Sequence, residues 1–210
     1  MTDRLYEVGS SDYLHRARER LDDKTSESLF YAAFELRCGI EARMQQYLEV
    51  QEALSKKKKT GWRIAVLGKI TDKFFRTRNK IGEFSFFDKS TGKKIGTLYY
   101  TPITSHLRKM AEQLGSLLHA AQKLRGLDDS WWDRTRTYLG AVYAQLRIAN
   151  LGTLLGVPLR NRKTGQLKMY YAADGSEAIH EYMKKLGLGG KLVIKVRYLD
   201  DIPATLKQST

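Results

Sequence analysis

Residues 28–54 constrain the fold more than any other part of the chain. Leu29, Ala33, Leu36, Ile40, Met44, Tyr47 and Leu54 recur there at steps of three, four or seven, and a long helix gathers them into one apolar stripe. Such a stripe needs partners that cover it. Phe30 and Phe34 widen its first half, while Glu35, Arg37, Glu41 and Arg43 crowd its middle. Arg37 and Glu41 are one turn apart, and the spacing predicts that they neutralise each other.

Candidate partners lie on both sides. Residues 11–21 read as a short covering helix, with Ser11 or Asp12 as its cap and Leu14, Ala17 and Leu21 as a narrow stripe. Thr25 or Ser26 can cap the long helix, and Lys56–Lys59 followed by Gly61 suit its C-terminal end. Residues 62–78 are ambiguous: Trp62, Val66, Ile70 and Phe74 have helical spacing, whereas Trp62, Ile64 and Val66 also alternate. The helical reading is adopted. Thr101 and Pro102 then read as an N-cap and first helical residue, with Ile103, Leu107, Met110, Leu114, Leu117, Ala121 and Leu124 as a second long stripe. A third begins at Ser130, with Asp133 in capping-box position and Trp132, Leu139, Val142, Leu146 and Ala149 inward. Leu36, Ile40, Leu114 and Val142 are expected inside a common core.

The remaining pattern is β. Residues 84–87 and 95–100 flank Asp88, Lys89, Ser90, Thr91 and Gly92, which is hairpin chemistry. Residues 157–162 and 166–171 flank a second turn at Lys163, Thr164 and Gly165, a short helix is expected over 176–186, and residues 191–198 alternate as a strand. The expected fold is mainly α with a small β part, an α+β architecture. In it a helical bundle over 1–156 carries an inserted hairpin near 83–101, and a small α+β element over 157–210 packs on it. Thr91-Gly92 before Tyr99-Tyr100, and Thr164-Gly165 before Tyr170-Tyr171, resemble each other locally, but their spacings differ and a true repeat is not favoured.

Composition narrows the class. The chain has 210 residues, 42% of them hydrophobic, and only three prolines, enough for a proper core and without a flexible linker composition. Its one cysteine, Cys38, cannot form an internal disulfide and reads as a small core residue of a reduced protein. No apolar run reaches signal-peptide or membrane-span length, so a cytoplasmic protein without membrane contact is expected. Charge is the functional clue. The formal net charge of +14 is distributed as −4 over residues 1–55, +12 over 56–109 and +6 over 110–210. Concentrated basicity points to an anionic partner, nucleic acid first and an anionic membrane or acidic protein after it.

Catalytic and metal chemistry find little support. His15, His106, His119 and His180 are scattered without metal-ligand spacing, so no metal or other cofactor is expected. His119 reads as a hydrogen-bonded histidine at a core edge. Thr91, Gly92, Lys93 and Lys94 lack the upstream Gly and the hydroxyl of a phosphate loop, and residues 186–190 do not open a helix after a strand. Glu35 and Glu41, six apart, lie on different faces of one helix and cannot alone form a carboxylate pair.

One resemblance adds to this. A charged N-terminal helical segment, the long helix with Phe30-Tyr31-Ala32-Ala33-Phe34-Glu35-Leu36-Arg37, then Phe75-Arg76-Thr77-Arg78-Asn79 and two more long helices resemble the HEPN class of helical bundles over residues 10–152. That resemblance implies association with nucleic acid, often as ribonucleases of toxin and antiviral systems. The class motif is an Arg, a polar residue and a His four to six residues further on. Arg78 and Asn79 resemble its first two positions, but Glu83, Phe84 and Ser85 stand where the His belongs. A non-catalytic member, or one whose active chemistry has moved, is therefore implied.

The leading expectation is a non-enzymatic nucleic-acid-binding protein, for RNA or DNA, of a prokaryotic defence or toxin system. Its candidate contacts are Lys56, Lys57, Lys58, Lys59, Trp62, Arg63, Lys69, Lys73, Arg76 and Arg78, where cations meet phosphates and Trp62, Phe74 and Phe75 can stack on bases. The alternatives are a ribonuclease using Arg78, Asn79 and His106 or His119, and an interaction subunit whose basic face binds an acidic partner. A protein partner or a homodimer is compatible with each.

Overall fold

A computed structural model describes residues 8–52, 54, 55, 59, 61, 63–119, 125, 126, 128–160, 167–171 and 192–207. The elements, in order, are α1 (Ser10–Asp22), α2 (Ser26–Glu49), α3 (Ile64–Phe75), β1 (Ile81–Asp88), β2 (Lys94–Tyr100), α4 (Ser105–Leu114) with a 3₁₀ turn at Gly115–Leu117, and α5 (Trp131–Asn150). The short strands β3 (Leu159–Arg160) and β4 (Leu167–Lys168), then β5 (Leu192–Leu199) and α6 (Ala204–Lys207), complete them. The fold is mainly α with a small antiparallel sheet, an α+β architecture. Two compact units share the chain: Met1–Thr71 with Ile103–Asn150, and Asp72–Pro102 with Leu151–Thr210. The helix expected over 176–186 lies outside the described residues.

In the first unit α2 supplies the central face. Thr25 caps it, its Oγ1 accepting the Ser28 N–H at 3.2 Å, and Leu29, Ala32, Ala33, Leu36, Ile40, Met44, Tyr47 and Leu48 are buried. Leu107, Met110, Ala111 and Leu114 of α4, and Leu139, Val142, Leu146 and Ala149 of α5, fill the same core. The expected core residues Leu36, Ile40, Leu114 and Val142 are all fully buried. Gly39 marks a close approach of three helices. A Cβ there would lie 2.9 Å from Leu146 Cδ2 and 3.1 Å from Tyr13 Cβ, so α1 and α5 both close on α2 at this point. Ser10 Oγ donates to the Gly39 carbonyl at 2.8 Å. Phe34 departs from expectation: it is 50% exposed, because the buried stripe turns past it, whereas Phe30 meets Trp131 and Trp132.

Charged residues on α2 act as connectors. Arg37 Nε is 3.2 Å from Glu41 Oε1, as its spacing predicts, and Nη1 donates to the Ala111 carbonyl at 3.1 Å. Burial raises the Glu41 carboxyl and Arg37 opposes that rise. Glu35 is held by Arg16 of α1 at 2.9 Å. Arg43 is buried, and its Nε donates to Tyr47 Oη at 3.0 Å and to the Ala149 carbonyl at 3.2 Å. Ala149 is one residue from the end of α5, where carbonyls have no intrahelical donor, so the guanidinium both pairs with an orphan acceptor and meets the negative end of the helix dipole.

Several helix boundaries differ from the sequence reading: Gly9, not Ser11 or Asp12, is the N-cap of α1, and the second long helix, expected to run on through Leu117 to Leu124, ends as α-helix at Leu114. α2 ends at Glu49, well before Lys56, so the lysine run does not form its last turn. Thr104, not Thr101, caps α4, its Oγ1 accepting the Leu107 N–H at 3.1 Å. Thr101 Oγ1 instead accepts the Gly152 N–H at 3.0 Å, and the same approach leaves Gly152 no room for a Cβ.

In the second unit β1 is central, in the order β2-β1-β5. The β1–β2 turn is built as its residues predict: Asp88 Oδ1 accepts the Ser90 and Thr91 N–H groups at 2.7 and 2.8 Å, and Gly92 takes φ 68°. The Ser90 hydroxyl first, and then these backbone donors, hold the Asp88 carboxyl down at about 2. The hairpin is not confined to the helical part: β5 pairs antiparallel with β1 from Ile81↔Leu199 to Asp88↔Leu192, so one sheet joins the inserted and C-terminal strands. β3 and β4 pair separately, as the second hairpin expected. Leu154 N–H donates to the Tyr99 carbonyl and Leu155 N–H to the Tyr170 carbonyl, so both Tyr-Tyr segments meet one stretch.

Leu36→Ala or Leu114→Ala is expected to cost about 2–5 kcal/mol through lost burial and a residual cavity, read as a lowered urea midpoint. Arg43→Leu is expected to cost about 1–3 kcal/mol by taking the charged donor from the buried Ala149 carbonyl and leaving it only the longer 3.4 Å bond from the Tyr47 hydroxyl, and an unchanged midpoint would remove its capping role. Cys38 is half-buried rather than the core residue expected, and its thiol reports that placement chemically. Burial first, then Glu41 and Glu35, push its thiol up to about 11. At pH 8 it should react with a disulfide reagent about a hundred-fold more slowly than after unfolding in guanidinium chloride, since the thiolate is the nucleophile; equal rates would contradict the placement.

Candidate nucleic-acid interface

α3 forms for the reason its spacing gives, but with a different face inward. Ile64, Leu67, Thr71 and Phe75 are buried at steps of three and four, while Val66, of the expected stripe Trp62, Val66, Ile70 and Phe74, is 48% exposed. Both sets have helical period, and packing selects between them. At Gly68 the Arg108 side chain of α4 lies against the backbone, leaving no space for a Cβ. Arg63 precedes the helix, its carbonyl accepting the N–H groups of Val66 and Leu67 at 2.8 and 3.0 Å. This rotation leaves Lys69 and Lys73, four residues apart, on the exposed side.

The segment after α3 is unusual. Arg76 N–H donates to the Asp72 carbonyl at 3.1 Å, closing the last helical turn, and Arg76 then takes φ 56°. Thr77 is buried. Arg78 takes φ 56° again, inside a turn closed by the Lys80 N–H on the Thr77 carbonyl at 3.1 Å. Left-handed backbone costs an L-residue with a long side chain about 1–2 kcal/mol, and Gly or Asn is the usual occupant. Here both positions carry arginine, with the guanidinium groups exposed. Lys69, Lys73, Arg76 and Arg78 have no hydrogen-bond or ion-pair partner for their side chains among the described residues.

Other candidates fall differently. Lys56, Lys57, Lys58 and Trp62 lie outside the described residues. Lys59 is half-buried and its Nζ donates to the Glu49 carbonyl at 2.6 Å, which occupies it at the end of α2. Arg63 is exposed. Phe74 and Phe75 are not a stacking platform: their rings meet edge to face at 5.4 Å, and Phe75 is buried against Tyr100 with centroids 5.3 Å apart. Aromatic burial won over exposure because α3 turned Phe75 toward the sheet strand β2.

Glu83, at the position where the HEPN-type His would belong, is a buried residue of β1 whose carboxylate is occupied. Arg197 lies 2.7 Å (Nη2) and 2.8 Å (Nε) from Oε1, and Tyr99 Oη donates to Oε2 at 3.3 Å. Sequence reasoning missed this row because its members are 16 and 114 residues from Glu83 and only strand register aligns them. His106 and His119 are both exposed, so His119 is not the core-edge residue expected. Among the described residues no group of three His, Cys, Asp or Glu side chains could hold a metal ion, and no helix is long and apolar enough to cross a membrane. No protein-family model, no curated protein and no solved structure matches the chain.

Proposed function

We propose that the chain is a non-enzymatic nucleic-acid-binding protein that holds phosphates through the end of α3 and the turn after it. The observation that carries this reading is the pair Arg76 and Arg78, exposed, unpaired among the described residues and kept at left-handed φ. Strained backbone persists where a side chain is needed in place, and a guanidinium can grip a phosphate with two parallel hydrogen bonds. Lys73, one turn before Arg76, and Lys69, one turn before that, extend the run of free cations. Their density in the chain, within the segment of net charge +12, supports nucleic acid over a small anion. The resemblance to HEPN domains is what suggests a prokaryotic defence or toxin setting, and the engaged Glu83 carboxylate supports binding over cleavage.

Stability and binding should separate in one variant. Replacing Arg76 and Arg78 together by Asn gives both left-handed positions a residue that tolerates them, so the unfolding midpoint should hold or rise. Affinity for nucleic acid should fall, and the dependence of log K on log salt should flatten by ~0.9 per lost phosphate contact on duplex DNA or ~0.7 on a single strand. Unchanged affinity and slope in the folded variant would remove these arginines from the interface, and undetectable binding by the parent protein would remove the function.

A further inference from the structure

β5 forms one edge of the three-stranded sheet, and among the described residues its outer side has no strand partner. All eight of its residues pair with β1 without a shift in register, so the strand is regular throughout. Alternate residues of such a strand turn N–H and C=O groups outward, a template for another chain. Edges are commonly guarded by a bulge, a proline or a charge standing over the edge. β5 has neither proline nor bulge. Its two cations are drawn back over β1 instead: Arg197 binds Glu83, and the Lys195 ammonium sits over the Phe87 ring, 4.8 Å from its centroid.

Register divides the two faces. Lys195 is paired with Ser85 and Arg197 with Glu83, so both cations share one face. On the other face Phe84 and Phe86 of β1 are buried, and the same apolar surface continues to Val196, paired with Phe84, and Tyr198, paired with Gly82. There it stops uncovered, with Val196 46% and Tyr198 51% exposed. An apolar surface that reaches an open strand edge is completed by one more strand. That strand is matched by apolar residues on the Val196 side and by acidic ones beside Lys195 and Arg197, with Val193, 40% exposed, as the apolar end of the cationic face. Arg197 remains accessible to it, since its side chain is 69% exposed.

We propose that β5 is a docking edge for an extended acidic segment of a partner protein, which adds to the sheet as a fourth strand with alternating acidic and apolar residues. This goes beyond nucleic-acid binding and does not depend on it. A second copy of the chain fits less well, because β5 carries two cations and no carboxylate, so a paired β5 strand offers nothing acidic to Lys195 and Arg197.

The test uses the full-length chain and a labelled eight-residue peptide alternating Glu with Val, followed by fluorescence anisotropy. Saturable binding is expected, about ten-fold or more tighter than for the Lys-Val counterpart and than for the same Glu-Val peptide N-methylated along one edge, a difference of ~1.4 kcal/mol or more. Lys195→Glu, folded by its unfolding midpoint, should lower the preference for the acidic peptide. The N-methylated peptide keeps the test independent of any variant. No saturable binding up to about 1 mM, equal affinity of the N-methylated peptide, displacement of the peptide by an oligonucleotide, or a β5-dependent dimer that excludes it would each overturn the proposal.

Discussion

The ends of the helices are the constraint on which the first unit depends. An α-helix leaves its last carbonyls without intrahelical donors, and those of α1, α2, α4 and α5 come close to neighbouring helices or loops. In each case a side chain from another part of the unit supplies the donor. Arg136 of α5 reaches the Leu21 carbonyl at 3.0 Å, Lys59 that of Glu49, Arg37 of α2 that of Ala111, and Arg43 of α2 that of Ala149. Tyr138 Oη adds a bond to the Met110 carbonyl at 2.8 Å. These cations meet the negative ends of helix dipoles while tying one element to the next. Packing at Gly39 brings the helices together, and the cationic caps fix how they end.

That arrangement changes how the positive charge is read. A net charge of +14 is not all available to an anionic partner, because Arg37, Arg43, Lys59 and Arg136 are occupied in holding carbonyls, and Arg16 holds Glu35. The cations at the end of α3 differ in kind. Lys73, Arg76 and Arg78 sit where no carbonyl or carboxylate among the described residues claims them, and two of them stand on backbone that glycine or asparagine would adopt with less strain. A basic count alone cannot make that distinction; the partners of each side chain do.

The sheet repeats the theme in another form. Glu83 would be a costly buried carboxylate in the middle of β1, but Arg197 and Tyr99 flank it in register and satisfy it. Ser85 and Thr97 hydroxyls meet at 3.2 Å in the next row. One face thus sets the polar rows Glu83–Arg197 and Ser85–Lys195 between the apolar pairs Ile81–Leu199 and Phe87–Val193, while the other is apolar from Phe84 and Phe86 to Val196. The recognition chemistry of β5 is a consequence of how β1 is satisfied.

Local periodicity was enough to determine much of this protein. The stripe from Leu29 to Tyr47, the helix beginning near Trp131 and the turn from Asp88 to Gly92 all carry their signal in contiguous residues, because helix and tight-turn geometry depend on neighbours in the chain. The choice between two helical stripes in α3, the exposure of Phe34, the transfer of capping from Thr101 to Thr104, and the burial of Phe75 were not legible there. Each depends on which surface arrives to cover it. The pairing of β1 with β5 and the row Tyr99, Glu83 and Arg197 were equally hidden, since register across more than a hundred residues leaves no periodic trace in either strand. Sequence determined where helices and turns form and where charge is concentrated. Tertiary structure alone decided which cations are consumed as caps and which remain free, because a guanidinium is committed by the acceptor it reaches in space, and that acceptor is rarely its neighbour in the chain.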